Sequence, residues 1–176
     1  MNNLCSTWGV PQDQILDTAN RFFNEYKRLD KLTEKQDLKI LNLQIKCVLS
    51  SAEGTNLYYV HSDQDNPKLY FSFLPQFADK LKAKGKGVIY YGPSFVFVLI
   101  AVNQCKALCD ALEAGCKAMS NKTKCVTKNS VKFDFKIKGQ KPVETKDILQ
   151  FSITGENFDA AKITQILKDH KGEEMD

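Results

Sequence analysis

The chain has 176 residues, 43% hydrophobic and 26% charged, with a formal net charge of +4. That balance excludes a disordered chain and fits one globular domain able to hide roughly two-thirds of its unfolded surface. No run of about 18 apolar residues is free of polar breaks, and M-N-N-L-C-S-T-W-G lacks the basic and apolar regions of a secretory leader, so neither membrane insertion nor export is expected.

In chain order, Pro11 to about Leu32 reads as an amphipathic helix. Ile15, Ala19, Phe22, Phe23, Tyr26 and Leu29 form its apolar stripe, with Pro11 in the first turn. Leu38–Leu49 alternates in polarity and predicts a strand; S-S-A-E-G-T-N then turns into a second strand at Leu57–His61. Lys68–Leu74 is β-rich in composition, with Pro75 opening a helix to about Lys84; the alternative is a helix from near Pro67, bent at Pro75. A strand at Val88–Tyr91 meets Gly92-Pro93, and a long helix is predicted from Pro93 to about Met119. Its stripe runs Phe95, Val98, Val102, Cys105, Cys109, Leu112, Cys116 and Met119. Phe97, Leu99, Ile100 and Leu108 give that helix a second apolar side, as expected of a central or partner-covered element. Ser120–Ser130 is a polar connection. Val131–Lys138 alternates as a half-buried strand, Gly139–Asp147 is a charged tip, and Ile148–Thr154 returns as the partner strand. A last helix spans about Asn157 to His170, with Phe158, Ala161, Ile163, Ile166 and Leu167 inward.

Six cysteines could suggest disulfides or zinc. Cys105, Cys109 and Cys116, however, continue an apolar helical stripe, so they read as packing residues of a reduced, intracellular protein rather than as zinc ligands with Cys125. His61 beside Asp63 and Asp65 reads as a polar loop rather than a metal site, and His170 as a solvated tail residue. There is no Walker motif, no G-x-G-x-x-G and no nucleophile elbow; Lys84-Gly85-Lys86-Gly87 is only a weak echo of a phosphate loop. No catalytic residue, metal or cofactor is assigned, and an enzyme is not expected.

Charge is the stronger signal. From Gln76 to Lys146 there are 14 lysines against 5 carboxylates, a net +9; the remainder, with 11 basic and 16 acidic residues, carries −5. A field built from lysine suits phosphate backbones more than base edges, because the ammonium lacks the guanidinium fork. Lys84 and Lys86 before the Val88 strand, and Lys136, Lys138, Lys141 and Lys146 around the hairpin tip, are the candidate nucleic-acid contacts. Tyr90 and Tyr91 stand beside this charge, and one of the two could stack on bases.

With these elements placed, Leu57 to Gly155 resembles the Alba family in element order. V-I-Y-Y-G-P-S leading into a long helix is similar to the second strand and helix of the Alba-like subunits of ribonuclease P and MRP, and F-K-I-K-G-Q-K-P-V-E-T-K-D-I-L-Q-F-S-I-T resembles the basic β-hairpin arm. The resemblance implies an α+β fold, a small mixed sheet with helices packed on it, built on a βαβαββ core at 57–155. Residues 1–50 would add a helix and a strand, and 156–176 a helix with an acidic tail, all within a single domain. It also implies DNA or RNA binding as a dimer, often a heterodimer within a larger complex. The expected protein is therefore a non-catalytic nucleic-acid-binding subunit of an intracellular assembly, nuclear in preference to cytoplasmic. The alternative is an interaction scaffold or accessory subunit of a nuclear DNA- or RNA-modifying enzyme, such as a methyltransferase complex, with no direct nucleic-acid contact.

Overall fold

The computed structural model describes residues 7, 9–51, 56–63, 65–101, 105–133, 143–171 and 173–174. The chain divides into two compact units, Met1–Asn42 and Leu43–Asp176. Helix α1, Ile15–Ser50, belongs to both and is preceded by a 3-10 turn at Gln12–Gln14. At 36 residues it runs well past the end expected near Leu32, because the predicted strand at Leu38–Leu49 is helical. That stretch satisfies two periods at once. Leu41, Ile45 and Val48, spaced by four and three, are buried, whereas Leu43 and Cys47 are exposed, so the 3.6-residue period prevails. Nothing between Gln12 and Ser50 is Gly or Pro, so no residue stops the helix. Within the first unit, Glu25 and Arg28 form a two-bond ion pair one turn apart, and the Thr33 hydroxyl donates to the Leu29 carbonyl.

The second unit is built on a mixed sheet. Its strands are β1 (Leu57–His61), β2 (Gly87–Gly92), β3 (Phe95–Ala101), β4 (Lys124–Phe133), β5 (Val143–Thr154) and β6 (Glu173–Glu174), in the order β4-β5-β3-β2-β1-β6. β1 runs parallel to β2 and β6, and the other pairs are antiparallel. Between β1 and β2 lie α2 (Pro67–Phe73), a 3-10 turn at Leu74–Phe77 and α3 (Ala78–Lys84). The helix opening at Pro67 thus replaces the strand expected at Lys68–Leu74. Pro67 takes the first turn, where its missing N–H costs nothing, and Pro75 falls in the tighter 3-10 turn that follows.

The largest correction concerns Pro93–Met119. It is not one helix. Pro93-Ser94 closes a two-residue turn, Gly92 pairs with Phe95, and F-V-F-V-L-I-A is β3; only Lys106–Met119 is helical, as α4. All of Phe95 to Ile100 is buried, so neither face of the strand is polar. A strand covered on both sides shows no alternation, which makes it look like an apolar helix in sequence. Phe95, Phe97 and Leu99 face one layer, where the rings of Tyr70 and Phe71 from α2 meet Phe95 and Phe97 at 4.8 and 5.3 Å between centroids. Val96, Val98 and Ile100 face the other, in one cluster with Leu108, Leu112 and Cys116 of α4 and Ile163 and Leu167 of α5 (Ala160–Asp169). Asp159 caps α5, accepting from the N–H groups of Ala161 and Lys162, as the expected helix at Asn157–His170 requires.

The fold is therefore α+β with a mixed sheet and helices packed on it. The element order from β1 is β-α-α-β-β-α-β-β-α-β, so the expected βαβαββ order is not kept: a β2–β3 hairpin stands where a strand should pass directly into a helix. The boundary between the two units falls at Asn42, inside α1, and among the described residues no strand separates α1 from β1. Because β3 is packed from both sides, Phe97→Ala should cost about 3–5 kcal/mol in a urea melt. A loss below about 1 kcal/mol would be incompatible with β3 as the central strand.

Candidate nucleic-acid interface

The lysines marked out by sequence do not behave as one set. Lys84 is exposed on the last turn of α3, which Gly85 ends in the left-handed conformation at φ 62°. Lys86, two residues on, is 6% exposed. Its ammonium donates to the Ser51 carbonyl at 2.7 Å and the Ser51 hydroxyl at 2.6 Å, and lies 5.5 Å from the centre of the Tyr58 ring. It is a structural cation that ties the end of α1 to β1 and, contrary to the sequence expectation, its ammonium does not face a phosphate-accessible surface. Lys136, Lys138 and Lys141 lie outside the described residues. Lys146 is exposed on β5, and its carbonyl accepts from Lys82 Nζ of α3 at 2.8 Å, with Asp147 Oδ2 at 3.2 Å from the same ammonium.

Tyr90 and Tyr91 are corrected as well: both are buried and neither can stack on a base. The Tyr91 hydroxyl pairs with Thr164, while the Tyr90 hydroxyl has no hydrogen-bond partner among the described residues and its ring lies 5.2 Å from that of Tyr70. Burial pushes the Tyr90 phenol well above its ordinary value, with Tyr70 adding to the effect, so it stays protonated.

Sequence reasoning missed the lysines of β4. This edge strand begins at Lys124, inside the stretch expected to be a polar connection, and carries Lys124, Lys128 and Lys132, all exposed. The signal was available as K-x3-K-x3-K, a spacing that an extended strand keeps on one face. A bulge then changes the outcome. From Lys128 to Ser130 on β4, the partner strand advances from Gln150 to Lys146, with Asp147 at φ 54°. Before the bulge, Lys128 pairs with Gln150, which pairs with Leu99, so Lys128 lies on the α2–α3 side. Beyond it, Lys132 pairs with Glu144 and Ser130 with Lys146, and these share a face opposite to buried Val131 and Thr145; Thr145 donates to Asp79 of α3. The hairpin thus presents lysines on both faces. Glu144 is the local counter-charge, 3.7 Å from Lys132 Nζ across an exposed pair that contributes little to stability.

The remaining chemistry-bearing groups are packed or paired. Cys105, Cys109 and Cys116 are buried in the core beneath the sheet, and burial pushes their thiols up to about 11, 12 and 12. Such thiols are inert as nucleophiles near neutral pH. Among the described residues no group of three or more His, Cys, Asp or Glu is arranged to hold a metal ion, and no helix is long and apolar enough to cross a membrane. His61 Nδ1 is 3.5 Å from Asp63, while Asp65 is taken up by Ser94. His170 is half-buried, its Nδ1 2.8 Å from the Ile166 carbonyl, rather than solvated. In the first unit a groove of about 740 Å³ follows the start of α1, lined by Val10, Gln14, Thr18, Arg21, Phe22 and Glu25 among others.

The sequence matches no protein-family model and no curated protein.

Two measurements test this geometry. Lys86→Ala removes two charge-assisted hydrogen bonds to half-buried Ser51 and should cost about 1–3 kcal/mol, whereas Lys84→Ala should stay within about 0.5 kcal/mol; equal effects in thermal melts would contradict the two placements. The thiol shifts set a pH dependence. A folded pKa above the unfolded value of about 8.5 means that the native state holds protons which the unfolded chain loses, so stability falls as pH rises above about 9. Denaturation midpoints should therefore be flat from pH 7 to 8 and drop by pH 10, with the drop reduced in a Cys109→Ala/Cys116→Ala protein compared with itself at pH 7.

Proposed function

We propose that this chain is a non-catalytic nucleic-acid-binding subunit of an intracellular assembly, holding phosphate backbone with the lysines of the β4–β5 hairpin. The observation that carries the reading is the β4–β5 hairpin at the sheet edge, with exposed Lys128 of β4 on one face and exposed Lys132 of β4 and Lys146 of β5 on the other. A two-faced basic ribbon can lie along a groove and meet phosphates of both strands, and Lys84 on α3 adds charge from the layer that Lys82 joins to β5. Lysine rather than arginine makes backbone contact, not base readout, the expected mode. The non-catalytic part rests on the thiols of Cys105, Cys109 and Cys116 and the Tyr90 phenol being protonated and packed. Nuclear residence belongs to the same proposal, as does membership in a larger complex.

The accessory-scaffold alternative has its own support in the apolar side of α1, where Tyr26 is 68% exposed and Leu43 61%.

Fluorescence anisotropy with a labelled duplex and a labelled RNA, run across a salt series, tests the nucleic-acid reading. Lys128→Glu/Lys132→Glu/Lys146→Glu should weaken binding at least about tenfold and lower the salt slope by about 2–3, since each phosphate contact contributes about 0.9 to that slope. Affinity unchanged in the triple variant would remove the hairpin from the interface.

A further inference from the structure

We infer that α1 pairs in parallel, and in register, with α1 of a second copy of this chain, forming a two-stranded coiled coil. Residues 15, 19, 22, 26, 29, 33, 36, 40, 43 and 47 are separated by alternating steps of four and three, which is a heptad seam without a skip. The structure divides the helix along this line. Tyr26, Leu29, Ile40 and Leu43 on the seam are 68, 49, 54 and 61% exposed, and Cys47 is exposed. Leu41, Ile45 and Val48, on the opposite side of the same turns, are buried. From Tyr26 to Cys47 the folded chain therefore uses one side of α1 and leaves the seam to water, while Ile15 and Ala19 at its start are half-buried.

The area is that of a specific interface. Phe23 and Tyr26, side chains of roughly 150–250 Å² each, are more than half exposed, and Leu16, Leu29, Leu32, Ile40 and Leu43 lie beside them. Two facing copies would remove on the order of 1,000 Å² from water, the size a specific protein interface needs. α1 is about 54 Å long at 1.5 Å per residue, enough for nearly five heptads.

The seam also indicates its partner and direction. Ala19, Tyr26, Thr33, Ile40 and Cys47 occupy the first core position of successive heptads, and Ile15, Phe22, Leu29, Gln36 and Leu43 the fourth. Ile40 at the first position, with Leu29 and Leu43 at the fourth, is the combination that favours two parallel strands. Polarity along the seam is segregated. Its first half is aromatic and aliphatic, Thr33 and Gln36 interrupt it, and Ile40 and Leu43 resume it. In-register parallel pairing sets Gln36 against Gln36, where two amides can bond each other, and keeps the aromatic halves together. Antiparallel pairing centred on Asp30 would lay the aromatic ring of Phe23 beside Asp37, where parallel pairing sets the smaller Leu32 against that carboxylate. The one like-charge neighbour that parallel pairing creates, Glu25 near Asp30 of the other copy, is moderated because both Glu25 oxygens already engage Arg28, at 2.6 and 2.9 Å.

Sedimentation equilibrium of the full chain, with bismaleimide cross-linking of Cys47, tests the inference. The expected result is a mass twice the 19.9 kDa of one chain at micromolar concentration, a cross-linked dimer lost in Cys47→Ser, and at least a tenfold weaker dimer in Leu29→Asp, whose exposed position leaves each monomer folded by circular dichroism. Gln36→Leu should strengthen the dimer. A monomer at tens of micromolar overturns the inference, as does a dimer indifferent to Leu29→Asp. A dimer that needs Leu29 but fails to cross-link through Cys47 overturns parallel pairing. Recovery of the intact protein as a 1:1 complex with a different helical protein, and as a monomer without it, overturns self-association. These readouts are of mass and cross-linking, so they are independent of nucleic-acid binding.

Discussion

Burial of β3 on both faces is the constraint from which the second unit is built. Six consecutive side chains, Phe95 to Ile100, leave water together. At roughly 1.5–3 kcal/mol for each large apolar side chain, no other segment of comparable length among the described residues buries as many large apolar side chains in succession. The strand can do this only if a layer lies on each side. α2 and α3 supply one with Tyr70, Phe71 and Leu81; α4 and α5 supply the other with Leu112, Cys116, Ile163 and Leu167. Neighbouring glycines follow from the same crowding. A Cβ on Gly87 would sit 2.8 Å from Ile100, and one on Gly92 2.6 Å from the Phe95 ring, so the strand beside β3 is narrow where β3 is bulky.

That packing separates two kinds of polar residue. Lys86 and Thr145 are charged or polar yet inside, and each has partners: Ser51 for the ammonium, Asp79 for the hydroxyl. They fasten the end of α1 and the helix α3 to the sheet. Lys128, Lys132 and Lys146 are outside, on a hairpin whose edge strand has no further strand to pair with in the sheet order. An edge strand carrying lysine is protected from adding another chain, and the same charges make it a surface for phosphate. Stability and the proposed binding thus draw on different lysines, which is why variants of the two groups can be told apart.

Much of the chain was legible from its residues. β1, β2 and the paired region of β5 appear where turn residues bound short β-rich runs, and α5 where an apolar stripe repeats at helical spacing. The failures share a cause. Leu38–Leu49 and Phe95–Ala101 contain so many apolar residues that both periods are satisfied locally, and the two were exchanged: the first is helix and the second strand. Of the candidate site, Lys84 and Lys146 are exposed as required, Lys86 is not, and Lys128 and Lys132 came into view only once β4 was known to start at Lys124.

Composition and spacing by themselves determined the mixed α+β character, the apolar stripe of α1, the buried thiols of α4 and the basic middle of the chain. Each of these is a property of neighbours within a turn or two, where side-chain period and charge can be read directly. Only the tertiary structure decided which lysine is a structural cation, which face of the hairpin each remaining lysine occupies, and which side of α1 is left to water. Those outcomes depend on residues distant in sequence: on Ser51 meeting Lys86, on a bulge opposite Asp147, and on Ile45 and Val48 being buried while Leu43 is not. A periodic pattern states that a face exists; what covers that face is a matter of packing.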